Sequence, residues 1–312
     1  SEEMFTEGGK YGSVDPCYPS KGVQAHIHDL IFEKHEGRRT GPLNYIFFPA
    51  LTHVPTWVSH VMDSASCPIV AGTPKVIKAA FTKEVNFFAR AGIEYIDTAC
   101  NLTEQHLFND QMWHDWGRCL RVTRDEHDHA MKEAWTALEG WEQTVQDRGR
   151  EVIEELEATG RLGVLVIGRP YHQDPGLHHG IPDELQALGY PILSMRSIPK
   201  DAQWLSRYMQ EDVDSGLIED VFDLRDVWPE NYSSNSVQKV WAARFAARHP
   251  NVAVLDLSSF KCGHDAPSYG LVDEIVKGGR TPRLIMHDID ANKPVGSIVI
   301  RPKTFAYSLE LE

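Results

Sequence analysis

Short apolar runs that alternate with helical segments constrain the fold of this chain more than any other feature. Strands are predicted at 45–48, 68–71, 93–98, 162–167, 190–194, 252–257 and 283–287. Helices are predicted at 21–35, 55–62, 74–81 and 236–248. Because a helix between two strands normally carries the chain back to a parallel position, this order predicts parallel sheets covered on both faces. We therefore expect an α/β fold of the flavodoxin or Rossmann type.

A long helical stretch divides the pattern. Thr123 and Glu126 have the spacing of a capping box, and apolar residues then recur at intervals of three, four or seven as far as Gly160. A chain of 312 residues is also long enough for two cores. We predict a first α/β lobe at 1–123, a helical connector at 124–160 and a second α/β lobe at 161–312.

Charge and cysteine content narrow the classes of function. A net charge of -14 and the lack of a local basic stripe disfavour nucleic acid as a partner. No apolar run approaches the roughly 18 residues that a membrane helix needs, and no signal peptide is recognisable. The five cysteines are an odd number and widely scattered, which favours a reducing cytoplasm and predicts thiols or metal ligands rather than disulfides.

Cys262 is a candidate ligand because of its place in the predicted sheet. It follows the strand predicted at 252–257, and functional groups in open α/β sheets gather in loops beyond the carboxyl ends of strands. A small, buried cysteine with only a packing role is the alternative, and spacing alone leaves both open.

Cys17 and Cys67 are the candidates in the first lobe. Cys17 lies just ahead of the first predicted helix, where unpaired amides and the nearby Lys21 favour a thiolate. Cys67 lies at an element boundary, directly before Pro68. Neither belongs to a CxxC pair, so the fold would have to bring any ligands together.

Two further cysteines compete for the same role. Cys100 follows the strand predicted at 93–98, and Cys119 lies in a segment typical of helix packing. We expect Cys100 to be less favoured as a ligand than the three cysteines described above, and Cys119 to be less favoured still.

The loop from Gly168 to Asp174 follows a predicted strand and precedes a helix. Gly168 and Arg169 beside a helix N-terminus predict a cradle for an anion or for the phosphates of an acyl-CoA, although a simple turn explains them equally well. His172 and His179, with His264 and Asp265 further on, leave open a zinc site of His, Cys and Asp ligands.

Other patterns carry less weight. His26 and His28 are two residues apart on a predicted helix, so at most one of them can face Cys17. The segment 288–293 resembles a cation-binding loop but lacks the full spacing, and we interpret it as a capped loop. No phosphate-binding P-loop, dinucleotide GxGxxG or nucleophile elbow occurs.

Several separated motifs together resemble a known family. They are CYPSK at 17–21, SCPIV at 66–70, GRPYHQDP at 168–175, HGIP at 179–182, FKCGHDAP at 260–267 and HDIDANKP at 287–294. With these motifs the chain resembles the activase-related region of the large CoA-substrate-specific enzyme activases, which are described as activators of 2-hydroxyglutaryl-CoA dehydratase. The resemblance runs along nearly the whole chain.

The resemblance implies a cofactor and partners. Related dehydratase subunits and double-cubane-cluster reductases hold a 4Fe-4S cluster with three cysteines, so it implies that Cys17, Cys67 and Cys262 bind a cluster, single or bridged. Full-length relatives carry an ATPase activator domain, which implies an ATPase activator as partner, a small molecule or acyl-CoA as substrate, and a homodimer. Supporting or substrate-binding roles are then expected for Lys21, His26, Gly168, Arg169, His172, His179, His264 and Asp265.

Three functions therefore compete at this point. The first is an iron–sulfur redox protein that accepts low-potential electrons from an ATP-dependent activator and passes them on from a site between the two lobes. The second is a module without a cluster that binds an acyl-CoA or another anion. The third is a zinc-dependent hydrolase that uses His172, His264 and Cys262.

Overall fold

The computed structural model describes residues 6–11, 17–35, 41–290 and 295–311. It divides the chain into two compact units. Unit 1 comprises Ser1–Pro55 and Ala65–His127, and unit 2 comprises Thr56–Ser64 and Asp128–Glu312. The segment predicted as a connector is one continuous helix that lies almost wholly in unit 2.

Helices make up much of both units. In unit 1 they are α1 (Tyr18–His28), α2 (Pro68–Thr82), α3 (Phe87–Ala91), α4 (Gln105–Met112) and α5 (Arg118–Leu120). Helix α6 (Arg124–Thr159) begins at the end of unit 1 and continues into unit 2. The others, all in unit 2, are α7 (Pro175–His178), α8 (Ile181–Ala187), α9 (Ala202–Asp214), α10 (Ser234–Arg248), α11 (Tyr269–Gly278) and α12 (Val295–Leu309).

Unit 1 has short parallel strand pairs. Strand β1 (Tyr45–Phe47) pairs with β3 (Glu94–Ile96), and β2 (Ala50–His53) pairs with β4 (Ala99–Asn101). Their helices bury an aromatic and aliphatic core against β1 and β3. Its largest members are Phe81, Phe88 and Tyr95.

Unit 2 is built on one parallel sheet. Its strands are β5 (Gly163–Gly168), β6 (Ile192–Ser194), β7 (Val252–Ser259) and β8 (Arg283–Ile289), in the spatial order β6-β5-β7-β8. Every residue of β5 and β7 is buried, as expected for central strands with helices on both faces. After β5 the chain continues to β6 on one side of the sheet, and after β7 it continues to β8 on the other side. The topological switch point therefore lies between β5 and β7.

The α/β fold is confirmed, and most predicted elements occur within a few residues of their expected bounds. The capping box of α6 also forms, since the amide of Thr123 donates to the Glu126 carboxylate and the Thr123 hydroxyl accepts from the Glu126 amide. The residues from 291 to 293 of the predicted capped loop lie outside the described part of the chain.

Two predicted elements are wrong. The strand expected at 68–71 is the first turn of α2, in which Pro68 fits because a first-turn amide has no helical partner. Buried Thr73, Ile77 and Phe81 continue the helical spacing, which outweighs the β-branched Ile69 and Val70. The helix expected at 55–62 is an irregular segment, most of which belongs to unit 2.

Candidate functional site

The switch point of unit 2 brings together several of the predicted site residues. Strands β5 and β7 are neighbours and parallel, with Gly168 paired with Leu257, so the loops that follow them leave the same edge of the sheet. The loop after β5 carries Arg169 and His172, and the loop after β7 carries Cys262, His264 and Asp265. We call these five residues the switch-point cluster.

A buried ion network holds the second loop in place. The ammonium of Lys239 on α10, with no exposed surface, lies 2.8 Å from a carboxylate oxygen of Asp256 and 2.9 Å from one of Asp265. Burial lowers the pKa of Lys239, but the two carboxylates outweigh it and raise the pKa, so the lysine stays charged. Because Asp256 lies in β7, this cation ties the loop of Cys262 to the sheet.

A cavity of about 310 Å³ adjoins this network between β7, β8 and α11. At its polar end His287 lies 2.8 Å from Asp256, and the Tyr269 ring stacks on the imidazole at 3.7 Å between centroids. The Tyr269 hydroxyl lies 2.7 Å from the hydroxyl of Ser258. At the other end Arg283 pairs with Asp273 at 2.5 Å, so both ends carry compensated charges.

Arg169 points to the start of α10. Its guanidinium donates to the hydroxyl of Ser236 at 2.9 Å, and Arg169 is only 3% exposed. The hydroxyl of Ser233, the residue before the helix, donates to Ser236 at 3.3 Å and lies 2.7 Å from Nε2 of His264. Burial and the charge of Arg169 lower the pKa of His264.

His172 and Tyr171 place polar groups in a buried environment. Burial lowers the pKa of His172 to about 3, which keeps its imidazole neutral at physiological pH. Both His172 ring nitrogens and the Tyr171 hydroxyl lack a geometric hydrogen-bond partner among the described residues. Burial and the adjacent Cys262 raise the pKa of Tyr171, so this hydroxyl stays protonated beside the sulfur.

Gly168 makes this crowding possible. A Cβ atom there would lie 2.6 Å from the backbone oxygen of Leu257 and 3.3 Å from the ring of His172. Any side chain would therefore push β5 and β7 apart or displace the imidazole.

Cys17 and Cys67 occupy equivalent places in unit 1. Each immediately precedes a helix, α1 or α2, that has a proline in its first two positions. The two helices pack near these ends, since the buried hydroxyls of Ser20 and Thr73 lie 3.5 Å apart. Both thiols are half-buried.

The other predicted supporting residues are spread out. His26 is exposed, and the rise of a helix places it about 13 Å along α1 from Cys17. Lys21 lies one turn into α1 and donates its amide to the carbonyl of Cys17 at 3.3 Å. His179, at a left-handed backbone position before α8, bonds through Nε2 to the carbonyl of Asp290 at 3.1 Å.

Cys100 and Cys119 lie in different surroundings. Cys100 is fully buried in β4, burial raises its pKa to about 11, and its thiol donates to the carbonyl of Thr98. Cys119 is half-buried in α5 and donates to the carbonyl of Asp115. Cys100 is therefore held as a neutral thiol.

The structure does not assemble the predicted zinc site. Within the described ranges, only His60, Glu219 and Asp223 offer three ligand atoms within 4.8 Å of one another. His172, His264 and Cys262 form no such group. Burial acts to raise the pKa of Asp223, but bonds from Arg225 at 2.9 and 3.0 Å outweigh it and lower the pKa, so the guanidinium satisfies this carboxylate without a metal ion.

Sequence reasoning missed the residues that support this site from α10 and β7. The sequence predicts only a packing helix and a buried strand for the segments that contain Lys239, Ser236 and Asp256. Their role in the site comes from contacts with residues distant in sequence. One signal for a buried charge was present, because Lys239 is a charged residue within a helix segment, from Ser236 to Ala246, that is buried throughout. A charged residue in a fully buried helix requires a partner.

The protein has one α/β unit with a polar cluster at the switch point of its sheet. Its other unit has two cysteines that directly precede helices. Residues 1–198 match the family described as CoA enzyme activase uncharacterised domain (DUF2229), and the chain belongs to that family. The expected relationship to activases is thereby confirmed at the family level. No curated protein and no solved structure matches the chain. Among the described helices, none is both long and apolar enough to cross a membrane.

Proposed function

We propose that this chain is an iron–sulfur redox component of an ATP-dependent system related to 2-hydroxyacyl-CoA dehydratases, with Cys17, Cys67 and Cys262 as cluster ligands. One observation carries the proposal. Cys17 and Cys67 stand directly before α1 and α2, and the carbonyl of Cys262 accepts from the amides of Asp265 and Ala266 at the turn that leads to α11. Cysteine sulfurs are the ligands that hold iron–sulfur clusters in proteins.

The cysteine environments support this choice of three from five. Cys100 lies in a strand with a raised pKa, and Cys119 lies inside a short helix. Membership of the activase family supports an enzyme partner, and Cys17 and Cys67 fall within the matched residues. Cys262 lies outside the match, so its role depends on the geometry of unit 2.

The chain's own residues have definable tasks in this proposal. Lys239 fixes the loop of Cys262 through Asp265, and the protonated Tyr171 hydroxyl lies near Cys262 without another hydrogen-bond partner among the described residues. Hydrogen bonds to cluster sulfurs raise a reduction potential, and burial excludes water. A bound cluster with three protein ligands would transfer single electrons and leave one iron open to a small substrate.

Anaerobic reconstitution with iron and sulfide tests the proposal. We expect about four irons per chain, with a broad absorption that reduction bleaches. The Cys17→Ala, Cys67→Ala, Cys262→Ala triple variant is expected to lose most of the iron, whereas the matched Cys119→Ala variant keeps it. Fewer than about three irons in the wild type, or equal iron in the triple variant, would contradict cluster binding.

An ATPase partner is tested separately on the reconstituted chain. An activator ATPase of this family, reduced by a low-potential donor, is expected to bleach the cluster absorption only when ATP is hydrolysed. Bleaching at the same rate with a non-hydrolysable analogue would argue against electron delivery driven by ATP.

A further inference from the structure

Arg169 carries a buried charge that lacks a direct counter-charge. Its exposed fraction is 3%, and its guanidinium makes one hydrogen bond, to the hydroxyl of Ser236. Within the described ranges no carboxylate lies within 4.0 Å of it. The nearby carboxylate of Asp265 is instead engaged by Lys239 and by the Ser268 hydroxyl. A guanidinium has five donors, so most of its bonding capacity is unused.

The same helix shows how a buried arginine is normally compensated. Arg244, two turns further along α10, is 4% exposed, which makes it as buried as Arg169. It forms an ion pair with Asp226 and donates to the carbonyl of Asp223 at 2.7 Å. Burying a charge without a partner costs several kcal/mol, so the contrast points to a missing anion beside Arg169.

The surroundings of Arg169 suit an anion. Helix α10 has 15 residues, and its N-terminus, the positive end of the helix dipole, carries Ser236 in the first turn. The Ser233 side chain does not cap this helix and bonds instead to Ser236 and His264. These groups lie at the switch point, where open α/β sheets bind their ligands.

We propose that Arg169, Ser233, Ser236 and the first turn of α10 form a binding site for a small oxyanion, namely a carboxylate or a phosphate group. Arg169 binds the anion through the donors left over from Ser236, with a planar fork that matches two oxygens. The Ser236 hydroxyl, which accepts from Arg169 and Ser233, donates its own hydrogen to the anion from the helix side, and Ser233 holds Ser236 in place. This site goes beyond the proposed redox function and does not require the cluster.

Calorimetric titration of the full chain without a cluster tests the site. Sodium phosphate and sodium acetate are titrated separately, with chloride holding the ionic strength constant. We expect binding of one anion per chain, and the anion that binds tells a phosphate site from a carboxylate site. Arg169→Met and Ser236→Ala are expected to weaken binding at least about tenfold, as for loss of a charge-assisted bond. Arg161→Met, at an exposed arginine after α6, is the matched control and is expected to bind normally.

Thermal melting separates loss of binding from loss of folding. The bound anion is expected to raise the melting temperature of the wild type by several degrees as its concentration rises above the Kd. Arg169→Met removes an uncompensated buried charge, so without anion it is expected to melt at least as high as the wild type, and it is expected not to respond to anion.

Three results would overturn the proposal. They are no binding of either anion by the wild type, equal binding by Arg169→Met, and binding that appears only after Cys262→Ser. The last would show that the Cys262 side chain, and not an anion, occupies the free donors of Arg169. The first two results do not depend on the iron content of the reconstituted chain, so the oxyanion site and the redox function can fail independently.

Discussion

At the scale of single residues, the most consequential side chain is Lys239, because one ammonium neutralises two buried carboxylates. Replacing it with Met is expected to leave Asp256 and Asp265 without their cation and to lower the free energy of unfolding by about 3–5 kcal/mol. Urea unfolding measures this. Lys277→Met removes an exposed pair with Asp273 and is expected to change stability by less than about 0.5 kcal/mol. Equal effects of the two substitutions would contradict a stabilising role for the network.

Lys200 is expected to make stability depend on pH. Burial and Arg196 lower its pKa to about 7, although its ammonium lies 4.2 Å from the Trp57 ring centroid and 5.4 Å from that of Trp241. The unfolded chain, with an ordinary lysine pKa, then binds more protons between pH 7 and about 10, so this residue makes stability rise with pH in that window.

The measurement compares the wild type with Lys200→Met in urea at pH 7, 8 and 9. The difference in unfolding free energy is expected to shift in favour of the wild type by up to about 1.4 kcal/mol per pH unit. Taking the difference removes contributions from other groups that titrate in this range. A constant difference across the three pH values would mean that the Lys200 pKa is ordinary.

Thiol reactivity at Cys100 provides a third test at this scale. Full burial and a pKa raised to about 11 leave almost no accessible thiolate at pH 8. Iodoacetamide is expected to spare Cys100 in the folded chain and to modify it in urea, as read from peptide masses. The half-buried Cys119 serves as the comparison. Rapid native labelling of Cys100 would show that β4 opens readily.

At the scale of elements, two glycines of α6 make a matched pair. A Cβ at Gly149 would lie 1.7 Å from the carbonyl oxygen of Ser197, whereas a Cβ at Gly140 meets nothing within 4 Å. Gly149→Ala is therefore expected to destabilise the chain by about 1–3 kcal/mol, through forced displacement of the helix. Gly140→Ala is expected to stabilise it by up to about 1 kcal/mol, since alanine favours helix. Thermal unfolding of both variants checks the opposite signs.

Elements were predictable where one physical signal dominated. The strand β5 is a continuous apolar run of the right length, β7 is an apolar run interrupted by Asp256, and α6 combines a capping box with sustained periodicity. Pro68 to Ala71 was ambiguous because proline followed by Ile69 and Val70 fits a strand start and a first helical turn alike. Only the buried residues further along α2 decide between the two, and the sequence pattern predicts a separate helix for them at 74–81.

The sequence predicted which loops carry the candidate site residues, but not which residues they contact. The sequence placed Arg169 and the segment from Cys262 to Asp265 in loops after strands, and the pairing of β5 with β7 brings these loops to the same edge of the sheet. The partner of Arg169 lies 67 residues away on α10, and local sequence contains nothing that specifies such a pair. The residue types in these loops also left a zinc site open, but His264 bonds to Ser233, and among the described residues His172, His264 and Cys262 do not form a three-ligand group.

At the scale of the whole molecule, the segment Thr56–Ser64 completes a unit formed mainly by residues 128–312. Val58 is buried in the core of unit 2, and the Trp57 ring packs edge-on against Trp241 at 5.9 Å. The amide of Ser59 donates to the carbonyl of Phe222 at 3.1 Å. Unit 2 therefore depends on a piece of chain that precedes most of unit 1 in sequence.

This arrangement predicts that residues 128–312 alone lack part of their core. The fragment is expected to melt below the same fragment with residues 56–64 joined to its N-terminus by a flexible linker, because apolar surface around Trp241 is otherwise exposed. A linked segment carrying Trp57→Ala and Val58→Ala is the control, and it is expected to restore little of the difference. Equal melting temperatures for all three fragments would mean that the segment 56–64 does not stabilise unit 2, and that the core packs well without Val58.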